Sequence, residues 1–258
     1  MRLNPQEQAM LDGREGPAVA RAMDLLVRYG EALGAERLVD TNNVCGTIGA
    51  TTPLLRDFAA RRGGFDAVFS EFNLDSDDVV PTPKVRAYSC HLQLGIDPLH
   101  AEQLGTAPEV VTLLRRGEEF VSKMGVQLMN TCTPYLVGNV PVKGEHCAWM
   151  ESSAIIYINS VLGARTNAEG RESAGASMIT GKTPYWGYHV DDYRYGTHVV
   201  EIDTPLEDIA DWGLLGYWVG DIVQDRIPVL TGVTRAPNLG RLKHFGAAAS
   251  SSGGVEMY

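Results

Sequence analysis

The chain has 258 residues, of which 44% are hydrophobic and 8% aromatic, so it can bury the core of one large domain or of two ordinary ones. Its formal net charge of −10 disfavours binding to nucleic acid and to membrane surfaces. No apolar run is long enough to cross a membrane, and the N-terminus lacks the apolar core of a secretory signal. We therefore expect a soluble protein of the cytoplasm.

The first half of the chain alternates predicted helices with predicted strands. Asn4 can cap a short helix that starts at Pro5. The apolar spacing over residues 17–33 is typical of an amphipathic helix that ends before Gly34. The further predicted elements are a strand over 37–40, a loop over 41–49, a helix over 53–61, a strand over 67–72, an acidic loop over 75–78, an irregular segment over 88–105, a helix over 106–124 and a strand over 126–130.

The second half continues the alternation. Its predicted elements are a helix that begins near Cys147, a helix over 173–180, an aromatic loop over 182–195, a helix over 205–220 with Thr204 and Glu207 as its capping box, a strand over 227–230, a short helix over 239–245, an Ala/Ser/Gly turn over 247–254 and a strand over 254–258. Strands that alternate with helices indicate an α/β fold with a largely parallel sheet.

The four cysteines are too widely spaced for a zinc ribbon or a CxxC redox pair. In a reducing compartment we expect all four to be thiols, and a small buried apolar residue is the simplest interpretation of each. They are Cys45, Cys90, Cys132 and Cys147. Glycine-rich dinucleotide motifs, P-loops and the GxSxG motif do not occur in the required setting, which disfavours the simplest nucleotide and hydrolase functions.

Possible chemistry is concentrated between residues 129 and 170. Cys132 follows a predicted strand and precedes Pro134, so backbone N–H groups nearby would favour its thiolate form. Glu145 and His146 form a candidate acid/base pair at the start of a predicted helix. A thiolate at Cys132 could bind iron or act as a nucleophile, and Glu145 and His146 are the predicted catalytic residues.

A second set of polar residues is predicted to bind substrate. Arg165 could pair with a substrate carboxylate, although a structural salt bridge is the alternative interpretation. The serines of the predicted helix could instead serve tight packing. The candidate substrate-binding residues are Asn130, Ser152, Ser153, Arg165, Thr166, Asn167 and Lys182.

Three segments carry a family resemblance: TCTPYLVGN, PVKGEHCAWMESSAIIYINSVLGARTN and GKTPYWGYH. Together they resemble the large subunit of aconitase X, a branch of the aconitase superfamily. The resemblance implies an aconitase-like layered α/β fold, of which residues 1–258 would be the N-terminal portion of the catalytic region. It also implies a partner, a small swivelling subunit or domain that is not found within this sequence.

The resemblance further implies an iron-dependent dehydratase with an iron–sulfur cluster or a mononuclear iron. Cys132 matches the first iron-ligand cysteine of the family, whose other ligand cysteines would lie beyond Tyr258. The base would be a serine of the small domain. The segment TNNVCG departs from the Ser- and His-containing loop of the family, and Cys45 could act there as an unusual ligand.

The implied reaction is loss of water from a small hydroxy acid. We expect cis-3-hydroxy-L-proline as the substrate, which would yield pyrroline-2-carboxylate. Mevalonate 5-phosphate is the alternative substrate within the family. The alternative from another class of protein is a noncatalytic small-molecule-binding or assembly subunit.

Overall fold

The computed structural model describes residues 1–47, 83–91, 97 and 99–258. The predicted helix over 53–61, the strand over 67–72 and the acidic loop over 75–78 lie outside the described residues. The chain divides into two compact units. The first unit is built from Met1–Thr131 and Gly170–Pro184, and the second unit is built from Cys132–Glu169 and Tyr185–Tyr258.

The regular elements up to residue 149 are α1 (Pro5–Leu11), α2 (Pro17–Ala32), β1 (Leu38–Asp40), β2 (Asn43–Gly46), β3 (Tyr88–His91), α3 (Pro108–Met124), β4 (Gln127–Leu128) and β5 (Cys147–Trp149). They are followed by α4 (Ser152–Tyr157), which continues as a π-helical turn over Ile158–Leu162, and by α5 (Arg171–Thr180), β6 (Lys182–Pro184), β7 (His198–Glu201), α6 (Ile209–Val223), β8 (Pro228–Thr231) and α7 (Leu239–Gly253). Short 3-10 turns cover Pro134–Leu136, Gly187–His189 and Asp191–Tyr193.

In the first unit the helices α1, α2, α3 and α5 confirm the predictions made for them, and the α/β class is confirmed as well. The Asn4 side chain accepts a hydrogen bond from the Glu7 backbone N–H, and the Glu7 carboxylate accepts one from the Asn4 N–H, so a capping box fixes the start of α1. Gly125 ends α3 in the left-handed conformation, as its position predicts. The strands β2, β3 and β4 pair in parallel, whereas β1 pairs with β6 in antiparallel orientation.

Two predictions for the first unit are wrong. Part of the predicted loop over 41–49 is the strand β2, and the segment 88–105 predicted to be irregular begins with the strand β3. Val44, Cys45 and Cys90 are completely buried in these strands. Short parallel strands that are buried on both faces lack the alternation of apolar and polar residues by which strands are recognised.

The cysteines of β2 and β3 also differ from expectation. Cys45 and Cys90 are directly paired in the parallel register and are joined by a disulfide across a Cα–Cα distance of 4.9 Å. The prediction of four thiols is therefore wrong for these two residues. Among the described residues Cys132 and Cys147 are the cysteines that take no part in a disulfide. A bonded Cys45 has no thiolate to offer as a metal ligand.

The second unit has its core between α4, α6 and α7, and it pairs β7 with β8 in parallel. The buried side chains at its centre are Ile156, Trp212, Val219, Phe245, Ala249 and Val255. Across the described residues no helix is long and apolar enough to span a membrane.

The boundaries of the second unit correct several predictions. The residues at Cys147 form β5 and not a helix, so the helix begins five residues later, at Ser152. The helix α6 begins at Ile209 and not at residue 205, because the Asp208 carboxylate accepts hydrogen bonds from the N–H groups of Ala210 and Asp211. The capping box predicted at Thr204 and Glu207 is therefore not the one used.

The C-terminal prediction is also wrong. The helix α7 runs to Gly253 through the Ala/Ser/Gly segment that was expected to form a turn, and no strand is formed over residues 254–258. The small side chains allow α7 to approach α6 closely. A methyl group added to Gly220 would lie only 2.3 Å from the carbonyl oxygen of Ala249. Tertiary packing therefore stabilises a segment whose composition is otherwise typical of a turn.

Candidate functional site

The backbone of the second unit brings the predicted catalytic pair next to the predicted carboxylate-binding arginine. Residues 145–147 run parallel to Arg165: the Arg165 N–H donates to the Glu145 carbonyl at 2.9 Å, and the Cys147 N–H donates to the Arg165 carbonyl at 2.8 Å. His146 and Arg165 are thereby paired in a parallel β-bridge. Residues 19 positions apart in the sequence become neighbours in space.

Glu145 is partly buried and its carboxylate is held by its own turn. Its Oε2 accepts a hydrogen bond from the Val142 N–H at 2.8 Å. The Glu145 N–H in turn donates to the Val142 carbonyl at 3.0 Å. The acidic group of the predicted pair thus closes a turn that leads into β5.

His146 has a partner that the sequence did not predict. Its Nδ1 lies 2.9 Å from Nδ1 of His189, and the two ring centroids are 5.2 Å apart. Tyr185 packs edge-on against the His146 ring, with 5.9 Å between centroids. The predicted aromatic loop therefore supplies the group that contacts the predicted catalytic histidine.

His189 is fully buried and neutral. Burial, and then the neighbouring His146, Arg165 and Arg194, lower the pKa of His189 from 6.5 to about 3. Its Nε2 is also buried, and none of the residues that the structure describes forms a hydrogen bond with it. The sequence signal for His189 is its position at the end of the aromatic segment GKTPYWGYH. That signal does not predict that the imidazole ring is buried.

Arg165 is held by two residues of the aromatic loop, His189 and Asp191. One guanidinium nitrogen donates to the His189 carbonyl at 2.9 Å, and the other forms an ion pair with the Asp191 carboxylate. Arg165 lowers the pKa of Asp191, which is exposed. The salt bridge named as the alternative interpretation is thus present. Its acidic member is open to solvent, so an incoming carboxylate could replace it.

Thr166 and Asn167 are buried and bind the protein itself. The Thr166 hydroxyl accepts from the Trp149 N–H and donates to the Asn167 carbonyl. The Asn167 side chain donates to the Trp186 carbonyl and accepts from the Tyr188 N–H. These contacts fix the loop that carries His189, and substrate binding by the two residues stays a prediction.

The two serines stand at the start of α4. Ser152 is exposed and Ser153 is partly buried, and both follow Glu151, whose carbonyl accepts the first N–H groups of the helix. The neighbouring residues from Ala154 onward are buried. The serines are thus on the solvent side of the helix start, and their contact with substrate stays a prediction.

Asn130 and Lys182 belong to the first unit. Asn130 has a positive φ of 50° and donates to a Glu118 carboxylate oxygen at 2.8 Å. Lys182 is buried and forms ion pairs with Asp40 and, at 3.5 Å, with Glu7. A role of these two residues in substrate binding stays a prediction.

The pKa of the Cys132 thiol is shifted in the direction opposite to the one expected. Burial, followed by the charge of Glu151 and a hydrogen bond to it, raises the pKa of the Cys132 thiol. The expected stabilisation of the thiolate by its loop is therefore wrong for the protein without a bound metal. Within the described residues no group of three or more His, Cys, Asp or Glu side chains could hold a metal ion. Cys132 and Glu151 alone do not make a complete iron site.

A cavity of about 540 Å³ lies elsewhere in the second unit. Its walls are mostly apolar, and Arg194 is the charged residue among them. The residues that line it include Arg194, Trp212, Ile227, Leu230, Leu242 and Tyr258. None of the predicted site residues lines this cavity, so the cluster around His146 is a separate feature.

Family models identify the class of protein. The model of the aconitase X first domain matches residues 1–192, and that of the aconitase X second domain matches residues 196–258. The chain belongs to the aconitase X family, as its sequence motifs indicate. Its mixed helices and parallel strands are consistent with that fold.

Individual relatives define the similarity more closely. The chain is 38% identical to the phosphomevalonate dehydratase large subunit of Methanocaldococcus jannaschii, over 100% of this chain and 62% of the relative. It is 32% identical to the cis-3-hydroxy-L-proline dehydratase of Hypocrea jecorina, over 99% of this chain and 41% of the relative. The crystal structure of aconitase X from Thermococcus kodakaraensis in its holo form superposes with a TM-score of 0.80 at 32% identity, over 100% of this chain and 61% of that chain.

These relatives are dehydratases, that is hydro-lyases, of the aconitase X family. The chain spans about 60% of the length of the large subunit and of the solved structure that it matches.

Proposed function

We propose that this chain forms one wall of the active site of an aconitase X dehydratase that removes water from a small hydroxy acid. The observation that carries the proposal is the β-bridge between His146 and Arg165. This bridge pairs the backbone of a histidine with that of an arginine. The bridge lies within a chain that is similar over its whole length to dehydratase large subunits.

Arg165 is proposed to bind the substrate carboxylate. A guanidinium group can form two parallel hydrogen bonds with a carboxylate, which fixes both the position and the orientation of the acid. The Asp191 carboxylate already occupies part of the guanidinium in the structure, and its side chain is 76% exposed. A substrate carboxylate would exchange with Asp191 at little expense, because exposed ion pairs contribute little stability.

His146 is proposed to contact the substrate oxygen next to the carboxylate. The contact with His189 holds the ring in place, and Tyr185 covers its edge. Glu145 is proposed to support this position, since its carboxylate is tied to the Val142 N–H. Catalysis benefits from such positioned polar groups because they need not reorganise during the reaction.

The cofactor and partner are proposed from the family resemblance. An iron centre would act as a Lewis acid on the leaving hydroxyl group. Cys132 is the residue of this chain that we propose as one ligand, and further ligands would come from outside the described residues. The large-subunit name of the relatives supports a small subunit as the partner. Its serine, which the resemblance implies, would be the base.

The proposed substrate is mevalonate 5-phosphate, which reverses the preference drawn from sequence alone. Identity is 38% to a phosphomevalonate dehydratase large subunit and 32% to a cis-3-hydroxy-L-proline dehydratase.

The test uses the full polypeptide that contains this chain in its source. It is prepared anaerobically together with the small subunit and is then loaded with iron. Loss of one water from each of the two substrates is followed by mass spectrometry. We expect turnover of mevalonate 5-phosphate and none of cis-3-hydroxy-L-proline. Turnover of hydroxyproline alone would contradict the substrate assignment. No turnover of either substrate by an iron-loaded preparation would favour the noncatalytic subunit. The observation that supports this alternative is that the described part of the chain gathers no three metal-ligating side chains.

A further inference from the structure

The contact between His146 and His189 admits two arrangements of protons. Their Nδ1 atoms are 2.9 Å apart, so one of them must donate and the other must accept. A neutral imidazole carries one N–H. The nitrogen that carries it in His189 therefore decides which nitrogen carries it in His146.

The second nitrogen of His189 distinguishes the two arrangements. Nε2 is buried and has no hydrogen-bond partner among the described residues, and the side chain is 0% exposed. If Nε2 carried the proton, a buried N–H would be left without an acceptor. If Nδ1 carries the proton, the group left without a partner is the lone pair of Nε2. Among buried backbone groups an orphaned N–H is rarer than an under-satisfied acceptor, and by analogy the arrangement with the unpartnered lone pair is favoured.

The charges around His189 keep its ring neutral, which is the state that both arrangements require. Two guanidinium groups bind the backbone next to the His189 ring. Arg165 donates to the His189 carbonyl, and Arg194 donates to the Tyr188 carbonyl. The Asp191 carboxylate forms an ion pair with Arg165. Cationic neighbours disfavour an additional N–H on the ring, so His189 stays neutral with one proton.

We infer that His189 is a positioning residue that donates its Nδ1–H to Nδ1 of His146 and thereby keeps the proton of His146 on Nε2. The inference deepens the proposed function and rests on it for its catalytic meaning. With Nε2 protonated, His146 is a hydrogen-bond donor to a substrate oxygen. It is not the base that removes the substrate proton, a role that a serine of the small subunit would fill.

Nitrogen NMR of the chain labelled with ¹⁵N-histidine tests the assignment without substrate, iron or partner. Long-range ¹H–¹⁵N correlation spectra distinguish the two tautomers of each of the six histidines. The signals are assigned with His146→Gln and His189→Asn. We expect the Nε2–H form for His146 and the Nδ1–H form for His189. The reverse pair of tautomers would overturn the inference, even if the chain proved to be an active dehydratase.

Two replacements of His189 separate positioning from general support of the fold. In His189→Asn the side-chain amide can donate where Nδ1–H does, so His146 should keep its Nε2–H form. In His189→Leu no donor remains, so His146 should show a mixture of tautomers. In the complete enzyme we expect roughly 10- to 100-fold lower kcat/KM for His189→Leu and a smaller loss for His189→Asn.

The matched control is His198→Asn, a change at an exposed histidine outside the cluster. It should leave the tautomer of His146 and the kcat/KM unchanged. An unchanged Nε2–H form of His146 in a folded His189→Leu variant would overturn the positioning role. If that variant does not fold, the tautomers of the unmodified chain still decide the question.

Discussion

Gly216 of α6 lies against the backbone of Phe245 in α7, so closely that a methyl group added at Gly216 would be 2.3 Å from the Phe245 carbonyl oxygen. The two helices form the core of the second unit together with α4. Glycine is therefore required at this position for space, and not for its backbone freedom.

Gly216→Ala should destabilise the protein by roughly 1 to 3 kcal/mol, because the helices must separate to admit the methyl group. The control is Gly240→Ala at the exposed start of α7, where the nearest atom is 3.4 Å from the added carbon. That change should leave stability unchanged or raise it by up to about 1 kcal/mol. Urea unfolding measures both. Equal stabilities of the two variants would contradict the close contact.

The disulfide between Cys45 and Cys90 predicts the number of reactive thiols. Alkylation of the chain unfolded without reductant should modify two of its four cysteines, and alkylation after reduction should modify all four. Reduction should also lower the free energy of unfolding by roughly 4 kcal/mol, because the bond closes a loop of 45 residues. Four alkylated cysteines without reductant, counted by mass spectrometry, would contradict the bond.

Glu256 predicts a loss of stability with rising pH. Burial raises the pKa of Glu256 from 4.5 to about 7. Below pH 4.5 the carboxyl is protonated in both the folded and the unfolded chain, and between pH 4.5 and 7 only the unfolded chain ionises. The folded state therefore loses up to about 3 kcal/mol by pH 8.

Glu256→Gln removes this effect and should be more stable than the unmodified protein at pH 8, with less than about 1 kcal/mol of difference at pH 5. Urea unfolding at the two pH values measures the difference. The control is Glu201→Gln on the exposed strand β7, which should change stability by no more than about 0.5 kcal/mol at either pH. A constant difference between Glu256→Gln and the unmodified protein would contradict the raised pKa.

The fold could be predicted from sequence where one local signal dominates. Helix α2 was predicted from its apolar spacing, and the end of α3 from Gly125. Short buried strands such as β2 could not be predicted, because every one of its residues is buried and no alternation marks it. Helix α7 was cut short because its small residues are stabilised only by contact with α6.

The sequence predicts which residues belong to the site, but it predicts only part of how they are arranged in space. Glu145, His146 and Arg165 were all identified from one stretch, and the β-bridge brings them together. The role of His189 was missed because it depends on a loop that folds back 43 residues later in the sequence. The electrostatics of Cys132 were missed because the position of Glu151 beside the thiol is a tertiary contact.

The proposed site around His146 and Arg165 is tested most directly by kcat/KM for mevalonate 5-phosphate in the iron-loaded enzyme that contains His146→Ala. Loss of a positioned hydrogen-bond donor should lower kcat/KM by roughly 100-fold or more, whereas His198→Ala at an exposed position should have no effect. Urea unfolding shows whether each variant is as stable as the unmodified chain. A kcat/KM for folded His146→Ala equal to that of His198→Ala would contradict the assignment of this cluster as the substrate site.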